Sequence, residues 1–92
     1  MKHFASPDFW FHYRLLPETI QNLADKNFSF LKENPNHPSL RLKKVDSYWS
    51  VRVGISYRAL GKERREGIIW VWIGTHAEYD QLIKQNTVIP IG

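Results

Sequence analysis

Arg52 and Arg58 stand on either side of Gly54-Ile55-Ser56, a segment with the composition of a turn. If the flanking residues pair as strands across that turn, the two guanidiniums come near-opposite each other. Like charges so placed repel unless an anion lies between them, and a phosphate satisfies both forks bidentately. The competing arrangement pairs each arginine with a carboxylate such as Glu78 or Asp80. Further along, His76 and Tyr79 fall on one face of any helical turn, where imidazole and phenol can move protons on a substrate or stack on a base. The commoner use of such residues is a helix cap and a core ring with its hydroxyl at the surface. The residues alone leave both pairs open.

Other chemistries find no residues to carry them. The chain has no Cys, so thiolate ligands, disulfides and cysteine nucleophiles are excluded. His3, His12 and His37 lack ligand spacing and fall in different elements, and no metal site is expected. No cofactor motif is present either: Gly54, Gly61, Gly67 and Gly74 are spaced as strand-end turns and not as a phosphate-cradling loop. No serine sits in a nucleophile-elbow pattern.

Charge singles out one stretch. The net charge is +4, and residues 1–40 balance. Residues 41–65 carry Arg41, Lys43, Lys44, Arg52, Arg58, Lys62, Arg64 and Arg65 against only Asp46 and Glu63. A concentrated basic surface on a small domain attracts polyanions, nucleic acid above all, although a solvated basic face without a ligand has the same composition. The opening residues lack the apolar run of a signal peptide, and no window reaches the ~18–20 apolar residues of a membrane span. A cytoplasmic protein with no membrane partner is expected.

The elements that must position these residues are legible in the punctuation. Ninety-two residues, 42% hydrophobic with four Trp, four Tyr and five Phe, suit a single domain over 1–92. Ser6 and Pro7 have the form of a helix N-cap and first turn, and Pro17 restarts a helix in the same way. Ile20, Leu23, Ala24, Phe28 and Leu31 then mark one helical face, until Pro35 and Pro38 end it. From Ser39 the period becomes two. Residues 40–43 alternate, and after a turn at Asp46-Ser47 so do residues 48–53, with Trp49, Val51 and Val53 inward and Tyr48, Ser50 and Arg52 on a polar face.

Residues 57–60 predict a further strand and 61–67 a polar loop. The apolar run 68–73 predicts a central strand covered on both faces, with Trp70 and Trp72 sharing one face by period. Thr75 is placed to cap a last helix from His76 to about Lys84, whose Tyr79, Leu82 and Ile83 dock on the sheet. The apolar residues 88–91 suit a tail packed on its own domain, or else a docking strip. The expected fold is α+β: an N-terminal helical hairpin on a small, mostly antiparallel β-sheet of three to five strands, with a short C-terminal helical segment.

These words in this order resemble the RelE/ParE superfamily of toxins from bacterial type II toxin–antitoxin systems. Tyr48-Trp49-Ser50-Val51-Arg52-Val53 followed by Tyr57-Arg58-Ala59-Leu60 is similar to that superfamily's strand-turn-strand signature. Ile73-Gly74-Thr75-His76-Ala77-Glu78-Tyr79 is similar to its closing segment, and Asn34-Pro35 with Pro38-Ser39-Leu40 before a Lys-bearing strand also fits. The resemblance implies a toxin neutralised by a cognate antitoxin, with operator DNA reached only through that antitoxin. It further implies ribosome-dependent cleavage of mRNA without a metal or cofactor. Arg52 and Arg58 would hold the phosphate, Arg41, Lys43 and Lys44 would bind RNA, and His76 with Tyr79 would supply proton transfer and stacking. Some of these nucleases carry Arg where His76 stands, which leaves the acid and the base unassigned. The same scaffold also serves inhibitors of DNA gyrase, and inactive members that bind only antitoxin and operator, so these are the alternative readings.

Overall fold

The computed structural model describes residues 2–84; the apolar run at 88–91 lies outside them. The elements run β1 (Lys2–Ala5), α1 (Pro7–Arg14), α2 (Glu18–Glu33), β2 (Lys43–Val45), β3 (Tyr48–Val53), β4 (Tyr57–Arg64), β5 (Gly67–Thr75) and α3 (His76–Lys84). The sheet order is β1-β5-β4-β3-β2, antiparallel except where β1 pairs with β5. This is the expected α+β architecture. The strand nothing in the sequence announced is β1, whose backbone leads into α1 through Ser6, the N–H of which donates to the Trp70 carbonyl at 3.0 Å.

Ser6 caps α1 as its residue type foretold, its Oγ accepting the Phe9 N–H at 3.2 Å, with Pro7 opening the helix. The start of α2 differs. Pro17 is itself the cap residue there, without a side-chain oxygen, and its carbonyl accepts from Ile20 and Gln21. Of the expected inner face, Ala24 and Leu31 are buried, Ile20 and Leu23 half-buried, and Phe28 is 39% exposed. The buried residue in its stead is Asn27, whose Nδ2 donates to the Arg52 carbonyl at 3.1 Å. A polar side chain is tolerated inside because that bond satisfies it.

Residues 40–42 do not form the expected strand. Arg41 adopts φ 45°, a left-handed conformation incompatible with extension, so β2 begins only at Lys43. The Asp46-Ser47 turn is as expected, with Val45 opposite Tyr48 and Asp46 at φ 55°. The polar loop expected over 61–67 is mostly strand: β4 runs to Arg64 and β5 starts at Gly67, since charged residues alternate onto an exposed hairpin end as readily as into a loop. Gly61 is therefore inside β4 and not at a strand end. A Cβ there would sit 2.6 Å from Ile68 Cγ2 and 2.8 Å from the Trp70 ring, so only glycine admits this contact.

Beside Gly61 the β4–β5 register slips: Leu60 pairs with Trp72 but Gly61 with Trp70, leaving Val71 as the extra residue of a bulge. The bulge overturns the reading that Trp70 and Trp72 share a face. Trp70 joins Val51, Val53, Ala59 and Ile73 in the core under α1 and α2. Trp72 joins Leu60, Val71 and Tyr79 in a second core under α3, with Leu82 and Ile83 packed on it as expected. β5 is buried on both faces, although the central strand by position is β4.

Candidate functional site

Arg52 and Arg58 are directly paired across the β3–β4 hairpin, whose turn is residues 54–56. The Arg52 N–H donates to the Leu40 carbonyl at 2.7 Å, and its own carbonyl accepts from Asn27. Both backbone groups thus point away from β4, which makes 52/58 a non-hydrogen-bonded pair, the kind that brings side chains closest. Period two directs Arg52, Arg58 and the buried Ser50 to the face opposite the α1–α2 core.

Because β2 pairs only as far as Ser50 and the chain breaks away at Arg41, an open hollow of about 350 Å³ forms on this face. It is lined by Arg41, Leu42, Lys43, Ser50, Arg52 and Arg58. No carboxylate lines it, and neither arginine forms an ion pair among the described residues. Glu78 and Asp80, the carboxylates considered for that role, are engaged elsewhere. Arg58 Nη1 donates to the Tyr57 carbonyl at 2.9 Å, while Arg52 Nε is buried with no hydrogen-bond partner. Burial first, and then the neighbouring Arg52 charge, push the Arg58 guanidinium below its ordinary value; Tyr79 and Asp80 act in the opposite sense. A buried donor without a partner, among four cations, is what an anion would satisfy.

The helix α3 is delivered to the same corner. Its cap is reciprocal: Thr75 Oγ1 accepts the Glu78 N–H at 3.1 Å and Glu78 Oε1 accepts the Thr75 N–H at 2.9 Å. The His76 N–H donates to the Ser56 carbonyl in the β3–β4 turn at 2.7 Å, and Arg58 pairs with Gly74 just before the helix. His76 is half exposed, with its ring centroid 6.1 Å from that of Tyr79, which is 7% exposed in the second core. His76 Nδ1 lies 3.0 Å from Asp80 Oδ2.

The residues singled out in the sequence thus divide. Arg41, Lys43, Arg52 and Arg58 share one hollow, with His76 and Tyr79 on the helix beside it. Lys44 pairs with Trp49 and faces the other side of the sheet, its Nζ 3.5 Å from Glu63 Oε1, which also accepts the Trp49 Nε1–H at 3.0 Å. Those two partners, the indole first, hold the Glu63 carboxyl below the usual carboxylate range. Ser50, read in the sequence only as a polar-face residue, lines the hollow, and Asn27 went unnoticed. Period two from Arg52 marks Ser50 as facing the same way, and Asn27 completes the Ala24–Leu31 face. No three His, Asp or Glu side chains converge among the described residues, and no described helix is long and apolar enough to cross a membrane.

A ParE-like toxin domain matches residues 18–81. Among solved structures, one chain of the RelB–RelE antitoxin–toxin complex from Methanococcus jannaschii superposes with a TM-score of 0.66 at 18% identity, over 85% of this chain and 96% of that one. YafQ from E. coli strain BL21(DE3) gives 0.68 at 15%, over 85% and 96%. The YoeB/ParE toxin from Agrobacterium tumefaciens gives 0.62 at 17%, over 83% and 99%. No curated protein matches.

Proposed function

From the premise that the chain belongs to the ParE-like toxin domain family, we propose that it is the toxin of a type II toxin–antitoxin pair and cleaves mRNA on the ribosome without a metal. The observation that carries this reading is the Arg52/Arg58 pair, with the buried, partnerless Arg52 Nε, set in a carboxylate-free hollow beside His76 and Tyr79. A gyrase inhibitor needs a complementary surface; it has no use for a paired-arginine cradle with an unpartnered buried donor next to two groups able to move protons. An antitoxin partner is in keeping with the RelB–RelE complex among the structural neighbours.

In this mechanism the RNA 2′-oxygen gives up its proton and attacks the adjacent phosphorus in line, and the bond to the 5′-oxygen breaks. One proton leaves the 2′-OH and one reaches the 5′-oxygen, so the products are a 2′,3′-cyclic phosphate and a 5′-OH. Arg52 and Arg58 stabilise the charge on the pentavalent phosphorus, Arg41 and Lys43 hold the flanking backbone, and His76 and Tyr79 move the two protons. The test is incubation with programmed ribosomes, chelator being added after complex assembly, followed by end mapping. Cyclic or 3′-phosphate ends with 5′-OH are expected. Intact mRNA together with inhibited gyrase would assign the protein to the other class.

A further inference from the structure

Asp80 was weighed in the sequence as a partner for the arginines, yet its carboxylate lies against His76, one helical turn back, at 3.0 Å from Nδ1. We infer that Asp80 is a positioning residue for His76: it holds the imidazole in the Nδ1–H tautomer, leaving Nε2 as the unprotonated nitrogen that takes the 2′-OH proton. This rests on the nuclease reading above.

Three features support the assignment. First, an ionised carboxylate only accepts, so Nδ1 can bond to Asp80 only as N–H, and the opposite nitrogen of the neutral ring then becomes the base. Second, Glu78, the other acid of the first turns, does not compete for the ring, because it is committed to the Thr75 cap. Third, Asp80 acts on the phosphate-holding group as well, because its charge counters the effect of burial and Arg52 on Arg58. When His76 takes the 2′-OH proton, the imidazolium forms beside Asp80, which steadies the new charge at the moment the phosphate contacts tighten. Tyr79 then donates to the leaving 5′-oxygen, and the imidazolium returns its proton to the phenolate, so no net proton is consumed.

The side chains of His76 and Asp80 are 46% and 60% exposed. An exposed pair of this kind contributes little to stability, so variants at position 80 keep their fold, which circular dichroism confirms or denies. The experiment compares wild type, Asp80→Ala, Asp80→Asn and Asp80→Glu by ring-nitrogen NMR and by single-turnover cleavage of ribosome-bound mRNA. In wild type the His76 ring is expected as the Nδ1–H tautomer. Asp80→Ala returns it to the Nε2–H form that prevails in water, with the cleavage rate down about 10- to 100-fold at unchanged substrate affinity. Asp80→Asn loses rate in the same way, and Asp80→Glu recovers most of it. An unchanged tautomer, or a changed tautomer with an unchanged rate, overturns the assignment. If wild type cuts no RNA, it is the nuclease reading that falls, and the NMR arm still reports whether Asp80 governs the ring.

Discussion

The phosphate assignment turns on two side chains whose removal separates chemistry from folding. Arg52→Ala and Arg58→Ala should each abolish toxicity in cells while far-UV spectra and melting stay near wild type. Losing one transition-state contact costs ~2.7–4 kcal/mol, or ~10²–10³ in rate. Full toxicity in either variant would falsify the cradle, and loss of folding would show a structural arginine. Arg41 permits a subtler separation. Its φ of 45° places a side-chain-bearing residue in the left-handed region, at a cost of roughly 1–2 kcal/mol that glycine avoids. Strain of this sort persists where the surroundings hold it, here by the Leu40 carbonyl bonded to Arg52. Arg41→Gly should therefore match or exceed wild type in thermal melting while cutting RNA more slowly. A variant that is both less stable and fully active would refute the link between this strain and the site.

Two elements set the geometry beneath those side chains. The β4–β5 bulge sends Trp70 and Trp72 to opposite cores, and Gly61 beside it leaves the room that Ile68 and the Trp70 ring occupy. Gly61→Ala drives a methyl into Ile68 and Trp70, and overpacking of this kind typically costs ~1–3 kcal/mol. A lower denaturation midpoint is the expected result, with Gly61→Val worse; an unchanged midpoint would mean that the bulge relaxes freely. The β1 edge brings a pH dependence. His3 stacks on Trp70 and its Nδ1 accepts the indole N–H at 3.3 Å, while burial foremost, with the N-terminus and Lys32, lowers its pKa from 6.5. The unfolded chain takes up this proton near the ordinary value, whereas the folded chain resists until lower pH. Acidification below about pH 6.5 thus favours unfolding, and protonated Nδ1 can no longer accept from the indole. Melting temperature should fall less between pH 7 and 5 in His3→Phe than in wild type; equal slopes would remove His3 as the cause.

At the scale of the whole molecule the two faces of the sheet do different work. One carries α1 and α2 over the larger core, and the other carries α3 and the basic hollow. Four of the eight basic residues between 41 and 65 meet in the hollow, brought there by β2, β3, β4 and the segment before β2, while Lys44 faces the other side of the sheet. An antitoxin that neutralises this face should do so with an acidic or mixed amphipathic segment, because long-range attraction raises encounter rates. Association measured by stopped flow should slow markedly as ionic strength rises and the Debye length falls below ~10 Å. A rate indifferent to salt would point to binding through the apolar side of the molecule.

Local rules determined much of this protein. The Ser6 and Thr75 caps, the period-two strand through residues 48–53 and the 52/58 juxtaposition all follow from neighbours in the chain, where backbone sterics and alternation dominate. The tertiary structure alone decided what depends on partners distant in sequence. Whether Asn27 lies inside depends on finding the Arg52 carbonyl, and β1 exists because β5 offers it a parallel edge. Arg41 leaves the strand although its alternation suits one, and the hollow opens where it does so. Asp80 stands one helical turn from His76 in any α-helix, but only packing shows that no arginine claims it first. Charge, spacing and side-chain type are properties of the chain. Which oppositely charged groups actually meet, and which polar atoms are left without partners, is settled only when the sheet closes and water is excluded.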